Sequence, residues 1–175
     1  MKYTVKTSMG KSNDDLKNAF AGESQANRRY LAFARKAEEE GYPQIGKLFR
    51  ATAEAETVHA LNHIRIIGEV RTTAENLNAA ISGESFEFEQ MYPKYIMDAE
   101  QEKDQQAVWS FRVAGQVEEV HANLLAKVVK TLKEGKQLPK TEYYVCNVCG
   151  NTVENVPPEK CPICGSPKTK FYKVD

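Results

Sequence analysis

Glu56-Thr57-Val58-His59 and Glu118-Glu119-Val120-His121 decide the fold, the first inside residues 52–63 (TAEAETVHALNH) and the second inside residues 114–125 (AGQVEEVHANLL). Around the first, Ile45, Phe49, Thr52, Glu56, His59, His63 and Ile66 alternate by four and three. Around the second, Phe111, Ala114, Glu118, His121, Leu125, Val128 and Leu132 keep the same rhythm. That spacing is the inward stripe of a helix in a bundle. Acids and histidines occupy a stripe that should be apolar.

Outward from these stretches, the spacing predicts four long helices over about the first 135 residues. Ser12 is the expected N-cap of the first, with Asp15 in its first turn and Gly41 just past its end. Pro43 suits the start of the second helix, which ends near Gly68. Thr72 with Glu75 forms a capping-box pattern for the third. The third continues past Gly83 to about Glu102, with a kink expected at Pro93. The fourth runs from near Gln105 to Glu134 and stops at Gly135. Helix one adds Leu16, Phe20, Glu23, Tyr30 and Ala34 to the inward face.

The chain also repeats itself. Gly22-Glu23-Ser24 returns as Gly83-Glu84-Ser85, and Glu56…His59 returns as Glu118…His121, at offsets of 61 to 62 residues. That period is longer than a solenoid repeat, so the reading is a duplicated helical hairpin.

Buried ions cost several kcal/mol each even after relaxation. Glu23, Glu56, Glu84, Glu87 and Glu118 facing one interior could not fold at neutral pH uncompensated. Two divalent or trivalent cations would compensate them. One Glu from each of two helices, and Glu-x-x-His from each of the other two, is a di-metal pattern. The i, i+3 spacing sets each Glu and His on one face, one turn apart. Carboxylate with imidazole suits iron or manganese. One Glu-x-x-His alone would be commonplace; two, each in a seam and tied to a duplicated Gly-Glu-Ser, are not. Glu54, Glu119 and the run Glu38-Glu39-Glu40 are expected in solvent.

The four cysteines fall in the last 30 or so positions, as Cys146-Asn147-Val148-Cys149-Gly150 and Cys161-Pro162-Ile163-Cys164-Gly165. Two CxxC turns can bring four thiolates into a tetrahedron, and the glycine after each second cysteine frees the tight turn. The chemistry accepts zinc or iron equally. Residues 137–175 are therefore expected as a small domain of short strands around a metal, after a four-helix domain over 1–136. So short a segment buries little core, and a metal would supply the missing stability.

Composition narrows the function. Of 175 residues, 24 are Lys or Arg and 24 are Asp or Glu, so no basic excess invites nucleic acid or an anionic membrane. Met1 to Gly10 has no apolar run resembling a signal peptide. No stretch approaches the roughly 20 apolar residues of a membrane span. The expectation is a cytoplasmic protein.

The segments Ala21-Gly22-Glu23-Ser24-Gln25, Arg29-Tyr30, Glu56-Thr57-Val58-His59, Gly83-Glu84-Ser85-Phe86-Glu87, Met91-Tyr92-Pro93 and Glu118-Glu119-Val120-His121 resemble rubrerythrins over nearly the whole chain. Gln90 stands where that family often has glutamate, away from the ligand positions. The resemblance implies a ferritin-like bundle followed by a rubredoxin-like domain, with three irons per chain. Glu56 and Glu118 would bridge two of them, and Glu23 and Glu84 would be terminal ligands. His121 would hold one iron; the other would alternate between His59 and Glu87. Glu87 has no partner in the repeat, where Ala26 fills the matching slot. Tyr30 and Tyr92 would hydrogen-bond ligand carboxylates. The third iron would sit on Cys146, Cys149, Cys161 and Cys164. His63 has no ligand role in the pattern and is expected as a packing or outer-sphere residue.

The activity so implied is reduction of hydrogen peroxide to water. Electrons would come from rubredoxin or an NAD(P)H-dependent reductase, since the chain carries no dinucleotide-binding glycine pattern. Iron oxidation and storage is the alternative, and a zinc-ribbon binding protein is a third reading. Helix two ends near Gly68 and helix three begins near Thr73. About four residues reach about 14 Å, whereas a helix of about 25 residues is about 37 Å long. A crossover along the bundle within one chain is thus excluded. The chain folds up-down-up-down, or it exchanges hairpins in a domain-swapped homodimer, which the resemblance favours.

Overall fold

The structure is a computed structural model, and it describes residues 10–175. Except for Gly10, the segment read as lacking a signal peptide lies outside the described residues. Two compact units divide at Arg71 and Thr72.

The first unit is a helical hairpin of α1 (Lys11–Glu39) and α2 (Pro43–Ile67). Helix α1 starts one residue before Ser12, and its N-cap is Gly10, with no side-chain cap and Asp14 as the first-turn acid. The Ser12 cap is therefore wrong. The Gly10 carbonyl instead accepts from Asn13 N at 2.8 Å, closing a turn by backbone alone. At the far end Gly41, at φ +83°, makes the left-handed turn expected of it, and Gly68 does the same for α2 at φ +85°.

The two helices meet along small residues. Ala34, Ala37, Gly46, Ala53 and Ala60 are the buried positions. A Cβ at Gly46 would lie 3.0 Å from the Ala34 carbonyl, so the backbones cross closely there. Asn27 Nδ2 donates across the hairpin to Ala53 O and Thr57 Oγ1, both at 2.8 Å. The predicted seam of α2 is not this contact line: Ile45 and Ile66 are each 49% exposed. A two-helix unit has one interface, and the alanines take it.

The second unit starts with α3 (Thr73–Phe86), capped by the Thr72–Glu75 capping box with both arms present. A π-helical turn (Glu87–Met91) follows, then α4 (Tyr92–Glu102) and α5 (Gln105–Lys133). The expected kink at Pro93 takes the form of this π turn, in which Tyr92 N bonds to Glu87 O. Pro93 has no N–H to continue the α ladder, and the wider turn precedes it. Asp104 Oδ1 caps α5 by accepting from Gln106 N and Ala107 N. Ala99, Val108, Val113, Val117 and Ala122 form the helical core of this unit. No helix among the described residues is long and apolar enough to cross a membrane.

After α5 come β1 (Tyr143–Cys146), β2 (Thr152–Glu154) and β3 (Phe171–Lys173), an antiparallel sheet in the order β2-β1-β3. The chain is thus mainly α with a small C-terminal sheet, as expected.

Gly115 on α5 is a point of close approach by Tyr92 at the start of α4. A Cβ there would sit 3.0 Å from Tyr92 Cβ, the rigid root of that side chain. Gly115→Ala should therefore destabilise the protein by about 1–3 kcal/mol through overpacking, read as a lowered Tm. An unchanged Tm would mean that α4 and α5 do not hold this spacing.

Candidate metal centres

Each unit carries one donor triad, and the two are alike in form. In the first, Glu23 comes from α1 and Glu56 and His59 from α2. His59 Nδ1 lies 2.9 Å from Glu56 Oε2 and 4.0 Å from Glu23 Oε1. In the second, Glu84 comes from α3 and Glu118 and His121 from α5. His121 Nδ1 lies 2.8 Å from Glu118 Oε2 and 3.6 Å from Glu84 Oε2. Donors bound at about 2.1 Å around one ion stand about 3.0–3.4 Å apart. The triads fall around that spacing with no ion present, so the residues fit a metal.

The charges say the same. Burial pushes the Glu118 carboxyl above its ordinary range, and the adjacent Glu84 carboxylate adds to this, against the opposing pull of His121. Glu87, at the start of the π turn, is likewise raised by burial and then by Glu84. The Tyr92 phenol is raised by burial and by Glu118, Glu87 and Glu84. Tyr92 and Glu87 therefore belong to the surroundings of the second triad, though Glu87 is not within it. A cation would offset both the burial and the mutual repulsion of these carboxylates.

Tyr30 stands in the first unit and stacks on Phe49, with ring centroids 6.1 Å apart. His63 joins neither triad, and its Nδ1 is buried without a hydrogen-bond partner. Glu54, Glu119 and Gln90 are exposed, in keeping with their expected distance from the chemistry.

The four cysteines form one cluster. Cys146 and Cys164 sulfurs are 3.7 Å apart and those of Cys149 and Cys161 are 3.6 Å apart. A tetrahedron with bonds of about 2.3 Å has edges of about 3.8 Å, so the cage is preformed for a metal. The two knuckles match bond for bond. Gly150 N donates to Cys146 O at 2.8 Å and Gly165 N to Cys161 O at 2.9 Å. Both glycines are left-handed, at φ +85° and +74°. Burial opposes ionisation of Cys164, but Ser166 and the neighbouring thiols hold it down to about 6, whereas burial pushes Cys149 well up. Cys164 is thus the readier of the two to be a thiolate, and a metal must displace the proton of Cys149.

Two features were not expected from the sequence. The π turn is one, and its trace was available: Glu23 maps to Glu84 at an offset of 61, but Tyr30 maps to Tyr92 at 62. One residue has been added between Glu84 and Tyr92, where the π turn lies. Glu87, the acid without a counterpart, opens that turn. The other feature is Thr152 on β2, whose Oγ1 is 3.0 Å from His121 Nε2. It joins helix to sheet, and no local pattern signals it.

Comparison with known proteins follows this geometry. The Rubrerythrin family model matches residues 14–129, and the model for the rubrerythrin rubredoxin-like domain matches 144–172. The chain is 37% identical to rubrerythrin-2 of Clostridium acetobutylicum, covering 96% of this chain and 98% of that one. It is 34% identical to nigerythrin of Nitratidesulfovibrio vulgaris, covering 95% and 88%. The solved structure of fully reduced, all-ferrous nigerythrin aligns with a TM-score of 0.57 at 33% identity, over 99% of this chain and 92% of that one. Paired carboxylate–histidine triads on a helical scaffold, a preformed tetrathiolate cage and relatives matched end to end lead to one conclusion: the chain belongs to the rubrerythrin family.

Proposed function

We propose that this protein is a non-haem di-iron peroxidase that reduces hydrogen peroxide to water, with electrons delivered through a tetrathiolate iron. The observation that carries the reading is the presence, on one chain, of two matched carboxylate–histidine triads and a preformed four-sulfur cage. The all-ferrous and mixed-valence states named for nigerythrin support iron as the metal. With three donor groups, the expected load is three irons per chain. The bound irons would supply Lewis acidity and the two electrons that, with two protons, convert one peroxide to two waters.

The protein's own residues set the rest. Glu23, Glu56, His59, Glu84, Glu118 and His121 would hold the pair, with Glu56 and Glu118 as the bridges. Glu87 stands ready as an additional carboxylate and would exchange with His59. Burial, and then the neighbouring Glu84 carboxylate, raise its affinity for a proton. Tyr92, beside Glu118, would steady the ligand carboxylates on one side, and Tyr30 would do so on the other. Cys146, Cys149, Cys161 and Cys164 would hold the third iron. The helical part over 1–136 and the sulfur part over 137–175 then act as acceptor and donor. The outside reductant would be rubredoxin or an NAD(P)H-dependent reductase, and the setting cytoplasmic.

Assembly follows from reach. Five residues, 68–72, separate α2 from α3. They span at most about 18 Å, against about 37 Å for α2. A ferritin-like order of helices then requires exchange of hairpins between two chains. Glu23, Glu56 and His59 of one chain would meet Glu84, Glu87, Glu118 and His121 of a second copy.

Four experiments test this reading. Cys161→Ser should leave the helices folded and their irons loaded while reductase-linked peroxide turnover falls to background; surviving turnover would remove the tetrathiolate as entry point. An iron load far above three per chain without peroxide turnover would favour iron oxidation and storage, and zinc in the sulfur cage a binding protein.

Glu87→Ala should retain metal content but slow redox cycling by about 10–100-fold, measured as reoxidation and re-reduction over successive peroxide additions. A fully active variant would exclude an exchanging carboxylate.

For assembly, chains with His59→Ala and chains with His121→Ala are co-refolded. One of the two bundles in a swapped heterodimer receives both intact halves, so activity should rise above either variant alone. Heterodimers without recovered activity would exclude the swap.

A further inference from the structure

The two triads match in their carboxylates but differ in what lies behind the histidine. Behind His121 stands Thr152, with Oγ1 3.0 Å from Nε2. The same hydroxyl donates its proton to the Gly150 carbonyl at 3.2 Å. A carbonyl can only accept, and a threonine hydroxyl has one proton to give. Towards His121, Thr152 is therefore the acceptor, and Nε2 must carry a ring hydrogen. Nδ1 faces Glu118 and Glu84 at 2.8 and 3.6 Å, hydrogen-bonds the Glu118 carboxylate, and is the nitrogen left to take a metal in exchange for that proton.

Thr152 is itself fixed. It pairs with Val145, the neighbour of Cys146, across β2 and β1, and it stands three positions after Cys149 and two after Gly150. A Cβ at Gly150 would lie 3.7 Å from Val117 Cγ1 of α5, and Lys127 of α5 pairs with Glu154 of β2 at 2.5 Å.

His59 has none of this. Its Nδ1 faces Glu56 and Glu23 in the same way, but among the described residues no hydrogen bond holds its Nε2. Its side chain is 54% exposed, against 29% for His121.

We propose that Thr152 is a positioning residue that locks His121 as a fixed ligand bound through Nδ1, leaving His59 as the histidine that can be released. This rests on the di-metal reading and deepens it. That reading says one histidine exchanges with Glu87, and the hydrogen bond to Thr152 decides which one does not. Outer hydrogen bonds of this kind set ring orientation and ligand basicity.

The test uses the full chain with ¹⁵N-labelled histidine at pH 8, loaded first with one zinc per chain for the sulfur cage and then with three. At one zinc, Nε2 of His121 should carry a hydrogen held in one hydrogen-bonded state; at three, Nδ1 should become the metal-bound nitrogen. Thr152→Val, which keeps the shape but removes the hydroxyl, should lose that single state. It should also weaken metal binding at the triads by about 10–100-fold, with the sulfur cage still fully loaded. Thr152→Ser should restore both signals, and Lys127→Ala, which breaks only the neighbouring ion pair, should leave both unchanged. The proposal is overturned if Thr152→Val keeps that state and full affinity. It is equally overturned if Thr152→Ser fails to restore them, or if Lys127→Ala disturbs them as much. If the triads take up no zinc, the di-metal reading falls with the ligand role, while the Nε2 hydrogen at one zinc still reads the lock itself.

Discussion

Confined negative charge is the constraint on which the structure depends. Glu84, Glu87 and Glu118 lie close enough that burial and mutual repulsion raise Glu87 and Glu118, and Tyr92 beside them is raised as well. One imidazole per triad cannot neutralise this. A helix face bearing such a cluster is a poor core and a good cation site, and this conflict separates the chain from an ordinary bundle. Alanines and valines take over the structural packing within each unit, which leaves the acid-bearing stripe free for chemistry.

Much of this was legible because it is local. The Thr72–Glu75 capping box, the left-handed glycines at 41 and 68 and the two sulfur knuckles each follow from a few neighbouring residues. The Ser12 cap failed because a backbone turn at Gly10 starts the helix one residue earlier. The seam read from the four-three rhythm does carry the histidine and carboxylate donors of both triads. It misplaced the contact line of the first hairpin, because hydropathy counts Ile45 and Ile66 as core. Close crossing at Gly46 selects instead for the smallest side chains.

The π turn lies between these cases. Its signal is arithmetic, not chemical: the repeat offset changes from 61 to 62 between Glu84 and Tyr92. A helix absorbs one added residue most cheaply by widening a single turn, and Pro93 marks the place by withholding a donor. The addition is also what breaks the symmetry of the duplication. Before it the two hairpins offer the same acids; after it the second has Glu87 and the first has nothing in its place.

The lock on His121 was invisible in sequence because it joins α5 to β2 across 31 positions. It also ties the helical site to the sulfur domain. Strands of four, three and three residues bury Cys146, Cys161 and Asn151 and little else. So small a core cannot hold its shape unaided, and the metal must do so. Thr152 stands two positions from Gly150, so the hydrogen bond that orients His121 comes from the edge of the sulfur domain. His59 has no such hydrogen bond from the sulfur domain among the described residues. The two histidines thus differ in what they answer to: His121 to the folded sulfur domain, and His59 only to the metal and the carboxylates in front of it.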